Sequence, residues 1–245
     1  ATKKYVFEAF GKGLIGRVIC NFYPINTSLV ALRRVRINTN SRVLDVGCGT
    51  GTLLYQLEAL GFRDLTGVDP YIKDDTTYSP TFKVFKGTIH DMDGSFDLII
   101  FSHSFEHIPN QLETLRFAAR LLKDKGTCVI GMPTVSSYAW KHYGVNWVGL
   151  DPPRHLFIHS IRSLTLLLLK ANLRLTDVVY DSTEYQFWGS EQYVRDIPLK
   201  SAKSYYVNPN QSIFSKQEIK RFRETARELN KKKQGDQASF YIEKR

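Results

Sequence analysis

Cysteine is scarce. Three residues among 245, an odd number without framework spacing, exclude a disulfide-stapled scaffold and fit a reduced, cytoplasmic compartment. Long apolar runs are missing too. The leucine run Leu166–Leu169 is far too short to cross a bilayer, so the sequence predicts no transmembrane segment and leaves at most peripheral membrane contact. Residues Ala1–Phe10 carry Lys3, Lys4 and Glu8 but no long apolar core, so no signal peptide is expected. Internal repeats and low-complexity stretches are lacking. What is present, 42% hydrophobic and 24% charged residues, suits a globular fold with a real core and excludes a disordered chain.

Acid is the minority charge: 24 Asp and Glu stand against 34 Lys and Arg, a net charge of +10. The excess is uneven. Between Arg195 and Lys233 lie 11 basic and 4 acidic residues. Such a segment is either a solvated helix face or an attractor of acidic partners: nucleic acid, an anionic membrane or a phosphorylated substrate.

The middle of the chain alternates β-rich runs with helical patterns. Arg42–Val46, Leu65–Val68, Phe82–Phe85, Phe96–Phe101 and Thr127–Ile130 read as buried strands. Gln111–Leu122 is helical, with Leu112, Leu115, Ala119 and Leu122 on one face, and Lys123–Gly126 reads as a turn before the next strand. A helix at Ile161–Ala171, a strand at Leu173–Tyr180 and a last strand at Ser239–Ile242 follow. This alternation predicts an α/β fold, a mostly parallel sheet covered on both sides. Four segments result: a partly helical 1–40, a core at 41–180, an insertion rich in Tyr, Phe and Lys at 181–236, and a final strand within 237–245. In the insertion, Ser215 and Glu218 form a capping-box pattern. The helix after it sets Ile219, Phe222, Ala226 and Leu229 on one face and Lys216, Lys220, Arg223 and Arg227 on another, as a lid or wall beside a substrate.

The decisive segment is Val43–Gly51, VLDVGCGTG, an apolar strand running into three glycines spaced two apart and then a helix. Glycines let the backbone approach a ligand, and the helix start offers free N–H groups. Twenty residues after Gly49 the next strand ends at Asp69, where a carboxylate can accept both ribose hydroxyls of an adenosine. A dinucleotide-binding oxidoreductase would need a further glycine at position 52, which is Thr52.

These residues resemble the class I S-adenosylmethionine-dependent methyltransferases. VLDVGCGTG is similar to their first motif, Asp69 to the acid ending their second strand, Gly94–Ile100 to the entry of their fourth strand, and Leu122–Gly126 to the turn before their fifth. The resemblance covers roughly residues 24–180 and implies a Rossmann-like sheet of seven strands, with 1–40 covering the cofactor site. Ser102–His107 paired with Asp151–Phe157 is similar to a bacterial branch associated with cell-surface polysaccharide pathways. By position, the resemblance implies that Gly47, Cys48 and Gly49 contact the methionine end of the cofactor through their backbone and that Asp45 organises that end. It places Asp69 on the ribose, Pro70 and Ile89 against the adenine, and Ser102 near the sulfonium. It gives the Cys48 thiol no role as a nucleophile.

His103, Glu106 and His107 follow the strand at 96–101, at the sheet edge where such folds bind ligands. Three readings stand. His103 or His107 acts as general base. Alternatively His103, Glu106 and His107, joined by His155, hold a divalent metal, Mn, Fe or Zn rather than Mg, that activates the acceptor oxygen. That pattern resembles small-RNA 2′-O-methyltransferases, with His103 in place of their first Glu. Or Glu106 and His107 merely cap the turn before Pro109. His90, His142 and His159 read as surface or packing residues. Trp140, Tyr143 and Trp147 are either core anchors or an aromatic platform, and Arg154 either clamps an anion or pairs with Asp151. The function expected is O-methylation of an acidic or phosphorylated carbohydrate acceptor: capsule, O-antigen or nucleotide-linked glycan. RNA 2′-O-methylation is the alternative, with nucleic acid not favoured as a partner, and a non-catalytic S-adenosylmethionine-binding protein is the third reading.

Overall fold

The structure, a computed structural model, describes residues 2–20 and 26–245. Ala1 and the first residues of the stretch that carries the resemblance, 24 and 25, lie outside the described residues. The chain divides into two compact units. The first comprises residues 1–131, 165–177 and 239–245; the second comprises 132–164 and 178–238. The insertion at 181–236 therefore shares a unit with residues 132–164, which the sequence assigns to the core.

The first unit opens with three short helices, α1 (Thr2–Phe10), α2 (Leu14–Ile19) and α3 (Thr27–Ala31). Asn26 caps α3 by accepting from the Ser28 and Leu29 amides. The sheet then begins with β1 (Arg42–Val46), α4 (Thr52–Ala59), β2 (Asp64–Asp69), β3 (Thr76–Ser79), β4 (Phe82–Lys86) and β5 (Phe96–Ser102). Next come α5 (Gln111–Leu121) and β6 (Leu122–Pro133). Further along the chain lie α6 (Tyr138–Tyr143), α7 (Ile161–Lys170), β7 (Leu173–Tyr180), α8 (Tyr185–Val194), α9 (Lys216–Lys231) and β8 (Gln237–Lys244). Among the described residues, eight strands form one sheet in the order β3-β4-β2-β1-β5-β6-β8-β7.

The centre of the sheet is parallel. Val43 of β1 aligns with Leu65 of β2 and Leu98 of β5, and Leu65 in turn with Phe82 of β4. Successive residues of β1 and β5 are buried, so both faces are covered and the strands read as continuous apolar runs instead of alternating ones. The expected α/β sheet is present with eight strands in place of seven. The additional one, β3, is a polar edge strand, Thr-Thr-Tyr-Ser, antiparallel to β4, and it carries no apolar alternation that would mark it in the sequence. Lys123–Gly126, expected as a turn, is drawn into β6. Phe96 faces Leu122 while Leu98 already faces Thr127, so the intervening residues bulge from the ladder, held by Lys123 Nζ donating to Asp97 at 2.8 Å. Tyr241 of β8 donates its hydroxyl to the Ala31 carbonyl at 2.8 Å and ties α3 to the sheet.

The second unit is built on aromatic packing over a buried carboxylate. Trp147 is fully buried, and its Nε1 donates to Asp236 Oδ2 at 3.0 Å. Burial pushes the Asp236 carboxyl up to about 6. Trp140 packs edge-on against Trp147. This settles the choice left open for Trp147: an indole with no exposed surface is a core anchor and not a ligand platform. Phe187 of α8 stacks on Phe222 of α9, and Trp188 packs with Phe214 and Ile219. The capping box forms as expected: Ser215 Oγ accepts from the Glu218 amide at 3.2 Å, and Glu218 accepts from the Ser215 amide at 2.8 Å.

Gly51, which starts α4, adopts a φ of 83°, and a Cβ there would lie 2.5 Å from Cζ of Phe82, a ring buried in the core. Gly51→Ala therefore meets both left-handed strain and a clash. We expect it to lower unfolding free energy by about 1–3 kcal/mol in denaturant titration. An unchanged midpoint would refute this account of the turn.

Candidate functional site

β1 ends in a turn that three hydrogen bonds define. The amides of Gly47 and Cys48 both donate to the Val68 carbonyl, at 2.8 and 3.4 Å, and Gly51 N donates to Cys48 O at 3.0 Å. Gly47 has a φ of 75°, and a Cβ on it would run into the Ser104 side chain. Ser104 Oγ in turn donates to Val46 O at 2.5 Å. Three consecutive parallel strand ends, those of β2, β1 and β5, are thus laced together around one glycine turn.

Two carboxylates face this turn. Asp69, at the end of β2, accepts from Gly49 N at 2.9 Å through Oδ2 and from Tyr71 N at 2.8 Å through Oδ1. Each oxygen keeps a lone pair for a further donor, so the side chain is oriented without being saturated. Asp45, within β1, is 2% exposed, and its Oδ1 is buried without a hydrogen-bond partner. Burial, with the negative charge of Asp69 second, pushes the Asp45 carboxyl up to about 7. A buried acceptor with no donor is costly unless a ligand supplies one. A cationic or N–H-bearing group at this place would satisfy Oδ1 and bring the carboxyl back to its charged form.

The Cys48 thiol packs where Gly67 leaves room: a Cβ on Gly67 would stand 2.5 Å from Sγ. Burial and the neighbouring Asp45 and Asp69 raise its pKa, so it stays a thiol. Pro70 is exposed directly after Asp69, whereas Ile89 lies in a short 3-10 turn and is 2% exposed. Ser102 ends β5 and shares a 2.7 Å hydrogen bond with Ser28 Oγ at the start of α3.

His103 comes next, and its backbone is unusual. Its φ is 53°, the left-handed region that a β-carbon disfavours, and its amide donates to Gly131 O at 2.9 Å. The imidazole Nδ1 stands 3.8 Å from Glu106 Oε1, with His103 well exposed and Glu106 buried. Glu106 and His107 belong to the 3-10 turn Phe105–His107, and the amide side chain of Gln111 donates to Phe105 O at 2.8 Å. His103, Glu106 and His107 thus belong together on the first unit. His155 belongs to the second. There its Nδ1 lies 2.9 Å from Gly149 O and its Nε2 3.8 Å from Asp151 Oδ2. A carbonyl only accepts, so Nδ1 is the donor in the contact with Gly149. Arg154 pairs with Asp151 at 2.5 Å. Of the basic stripe on α9, Arg223 is engaged with Glu184 at 2.6 Å and Lys220 stands 3.9 Å from Glu224, so the stripe is partly neutralised.

Comparison with known proteins finds methyltransferases. A family model described as a methyltransferase domain matches residues 25–178. A curated relative, the ubiquinone biosynthesis O-methyltransferase of Xanthomonas campestris pv. campestris, is 28% identical over 171 residues, covering 63% of this chain and 71% of that protein. Among solved structures, a SAM-dependent methyltransferase from Archaeoglobus fulgidus superposes with a TM-score of 0.51 at 22% identity, covering 94% of this chain and 99% of that one. Mycolic acid cyclopropane synthase CmaA1, solved with SAH and CTAB, superposes with a TM-score of 0.54 at 16% identity, covering 88% and 82%.

The raised Asp45 carboxyl has a measurable consequence in the ligand-free protein. The folded chain holds the Asp45 proton up to pH about 7, whereas an unfolded chain releases it near 4. The stability Asp45 confers is thus complete below about 4 and is lost as pH rises towards 7. Asp45→Asn cannot titrate. Its stability relative to the parent should rise by about 2–3 kcal/mol between pH 5 and pH 8 in ligand-free denaturation. A difference that stays flat with pH would refute the assignment.

Proposed function

We propose, from the premise that the chain belongs to the methyltransferase-domain family and is an S-adenosylmethionine-dependent methyltransferase, that it methylates a hydroxyl oxygen of an anionic acceptor. The observation that carries the acceptor end is His103. A non-glycine residue held at a φ of 53° directly after β5 is strain of the kind that gathers at functional positions.

S-adenosylmethionine supplies an electrophilic methyl group on a sulfonium, and the chain has to bind, orient and manage a proton. Asp45 offers its unpartnered buried oxygen to the methionine end. Gly47, Cys48 and Gly49 offer backbone groups there, and Asp69 has acceptor capacity left for the ribose. Pro70 and Ile89 flank the adenine, Ile89 only by its edge given its burial, and Ser102 lies towards the sulfonium. His103 or His107 takes the acceptor's hydroxyl proton.

Oxygen as the methylated atom is favoured by the curated O-methyltransferase relatives. An acidic or phosphorylated glycan is the acceptor that the charge of +10 and the sequence resemblance favour. The same relatives favour a ubiquinone precursor as the competing acceptor. His155 belongs to the other unit, so the sharper form of the reading keeps a divalent cation on His103, Glu106 and His107. The mixed imidazole and carboxylate donors support it. Arg154, already paired with Asp151, is not needed as an anion clamp.

Four measurements test this. Asp69→Ala should weaken S-adenosylmethionine binding by about 1.5–3 kcal/mol for each charge-assisted hydrogen bond lost, read by calorimetry; unchanged affinity in a folded variant would remove Asp69 from the ribose. His103→Ala or His107→Ala should lower kcat about 10²–10⁴-fold with cofactor affinity preserved. Methyl transfer should be seen with anionic oligosaccharides or sugar nucleotides in preference to a phenolic ubiquinone precursor or RNA, and transfer to neither sugar would overturn the glycan assignment. Chelator should abolish turnover and added Mn²⁺, Fe²⁺ or Zn²⁺ restore it while S-adenosylmethionine still binds; full activity in excess chelator would leave an imidazole as a plain base.

A further inference from the structure

Helix α2 is inside out. Its sequence is Leu-Ile-Gly-Arg-Val-Ile, and the residue it buries is the smallest, Gly16. A Cβ on Gly16 would collide with the Lys3 carbonyl of α1 and come within 2.7 Å of Phe7 Cβ, so this glycine is where the two helices touch. The large apolar residues point the other way. Leu14 is 75% exposed, Ile15 54% and Val18 49%, with Phe10 exposed at the end of α1. An amphipathic helix normally buries such residues, since each Leu, Ile or Val is worth roughly 1.5–3 kcal/mol when removed from water. A contiguous apolar segment left in water marks a surface that meets something else.

The charges around it choose the partner. Lys12 and Arg17 are exposed within the same stretch, and no ion pair among the described residues involves either. The acid of this region, Glu8, is fully buried; it pairs with Lys4 at 2.8 Å and accepts from the Asn26 amide at 2.8 Å. The exposed face of residues 10–18 therefore carries apolar side chains and cations with no accessible carboxylate. A protein partner would normally answer with directional polar contacts, whereas an apolar face ringed by Lys and Arg matches an anionic phospholipid surface, with acyl chains under the side chains and headgroups beside the cations. No helix among the described residues is long and apolar enough to cross a membrane, so the contact is peripheral.

We infer that α2 and the turn before it dock the protein onto anionic membranes, with Leu14, Ile15 and Val18 entering the interface and Lys12 and Arg17 holding its headgroups. This stands apart from the identity of the methyl acceptor and does not require it.

Co-sedimentation of the full chain with vesicles tests it. Binding to vesicles of phosphatidylcholine with phosphatidylglycerol should exceed binding to pure phosphatidylcholine at least about tenfold and should weaken in high salt, because surface charge is screened within about 8–10 Å. Ile15→Asp should abolish pelleting. Lys12→Glu and Arg17→Glu should each lower the partition about fivefold or more, each near-surface cation contributing about 1 kcal/mol. These residues face water, so thermal melting should match the parent protein. Leu166→Asp, which alters an equally exposed leucine on α7, should leave pelleting unchanged. Absence of pelleting, equal binding to neutral vesicles, or full binding by Ile15→Asp would each overturn the inference. So would a dimer in sedimentation equilibrium that Ile15→Asp dissociates without any vesicle binding, which would make the face a contact between copies of this chain.

Discussion

The lacing of Gly47 is the constraint on which the rest of the first unit depends. Its amide is spent on Val68 O, its missing Cβ makes room for Ser104, and Ser104 returns a hydrogen bond to Val46 O. One position without a side chain thereby sets the spacing of β2, β1 and β5 at their carboxyl ends. Once those ends are fixed, Asp69 can reach Gly49 N, and His103, between β5 and Ser104, adopts its left-handed conformation. Replace the glycine and the acids and imidazoles behind it lose their common origin.

The strand that leads into this turn carries a costly group, a buried carboxyl with a partnerless oxygen. Asp45 sits in a parallel strand, where both faces are covered and neighbouring strands already satisfy the backbone. Nothing in the sheet needs a carboxylate there, and its Oδ1 has no donor among the described residues. A structural acid would be capped by an amide or paired with a base; this one has its carboxyl pushed up to about 7 by burial and then by Asp69. Such a group makes sense in a protein whose bound state brings the missing donor, as a cofactor with a cationic end does.

The second unit solves a different problem. α8 and α9 meet through rings, Phe187 on Phe222 and Trp188 beside Phe214, and most polar groups inside are paired: Trp147 with Asp236, Val148 N with Ser190, Gln192 with Ser204 and the Tyr205 amide, with Gln186 Oε1 a buried exception. Its aromatic residues are therefore largely occupied in packing. The basic excess that the sequence shows between Arg195 and Lys233 is likewise reduced by pairs such as Arg223 with Glu184, so the charge offered to a partner is smaller than the residue count.

Local signals were enough for much of this. Continuous apolar runs marked the buried strands, the glycine spacing marked the turn after β1, and Ser215 with Glu218 marked the start of α9, because each rests on residues adjacent in the chain. The acid at Asp69 was legible for the same reason: it ends a strand at a fixed distance from the glycines. Other features had no local signal. β3 is four polar residues whose only support is the edge of β4, and six of the ten residues of α8 are buried, so neither shows a one-sided pattern. The bulge at Lys123–Gly126 looks like a turn until β5 pairs across it. The protonated state of Asp45, the left-handed His103, the buried Trp147 and the outward apolar face of α2 depend on which surfaces are covered. Burial and strain are properties of neighbours brought together from distant positions, and only the tertiary structure decides them.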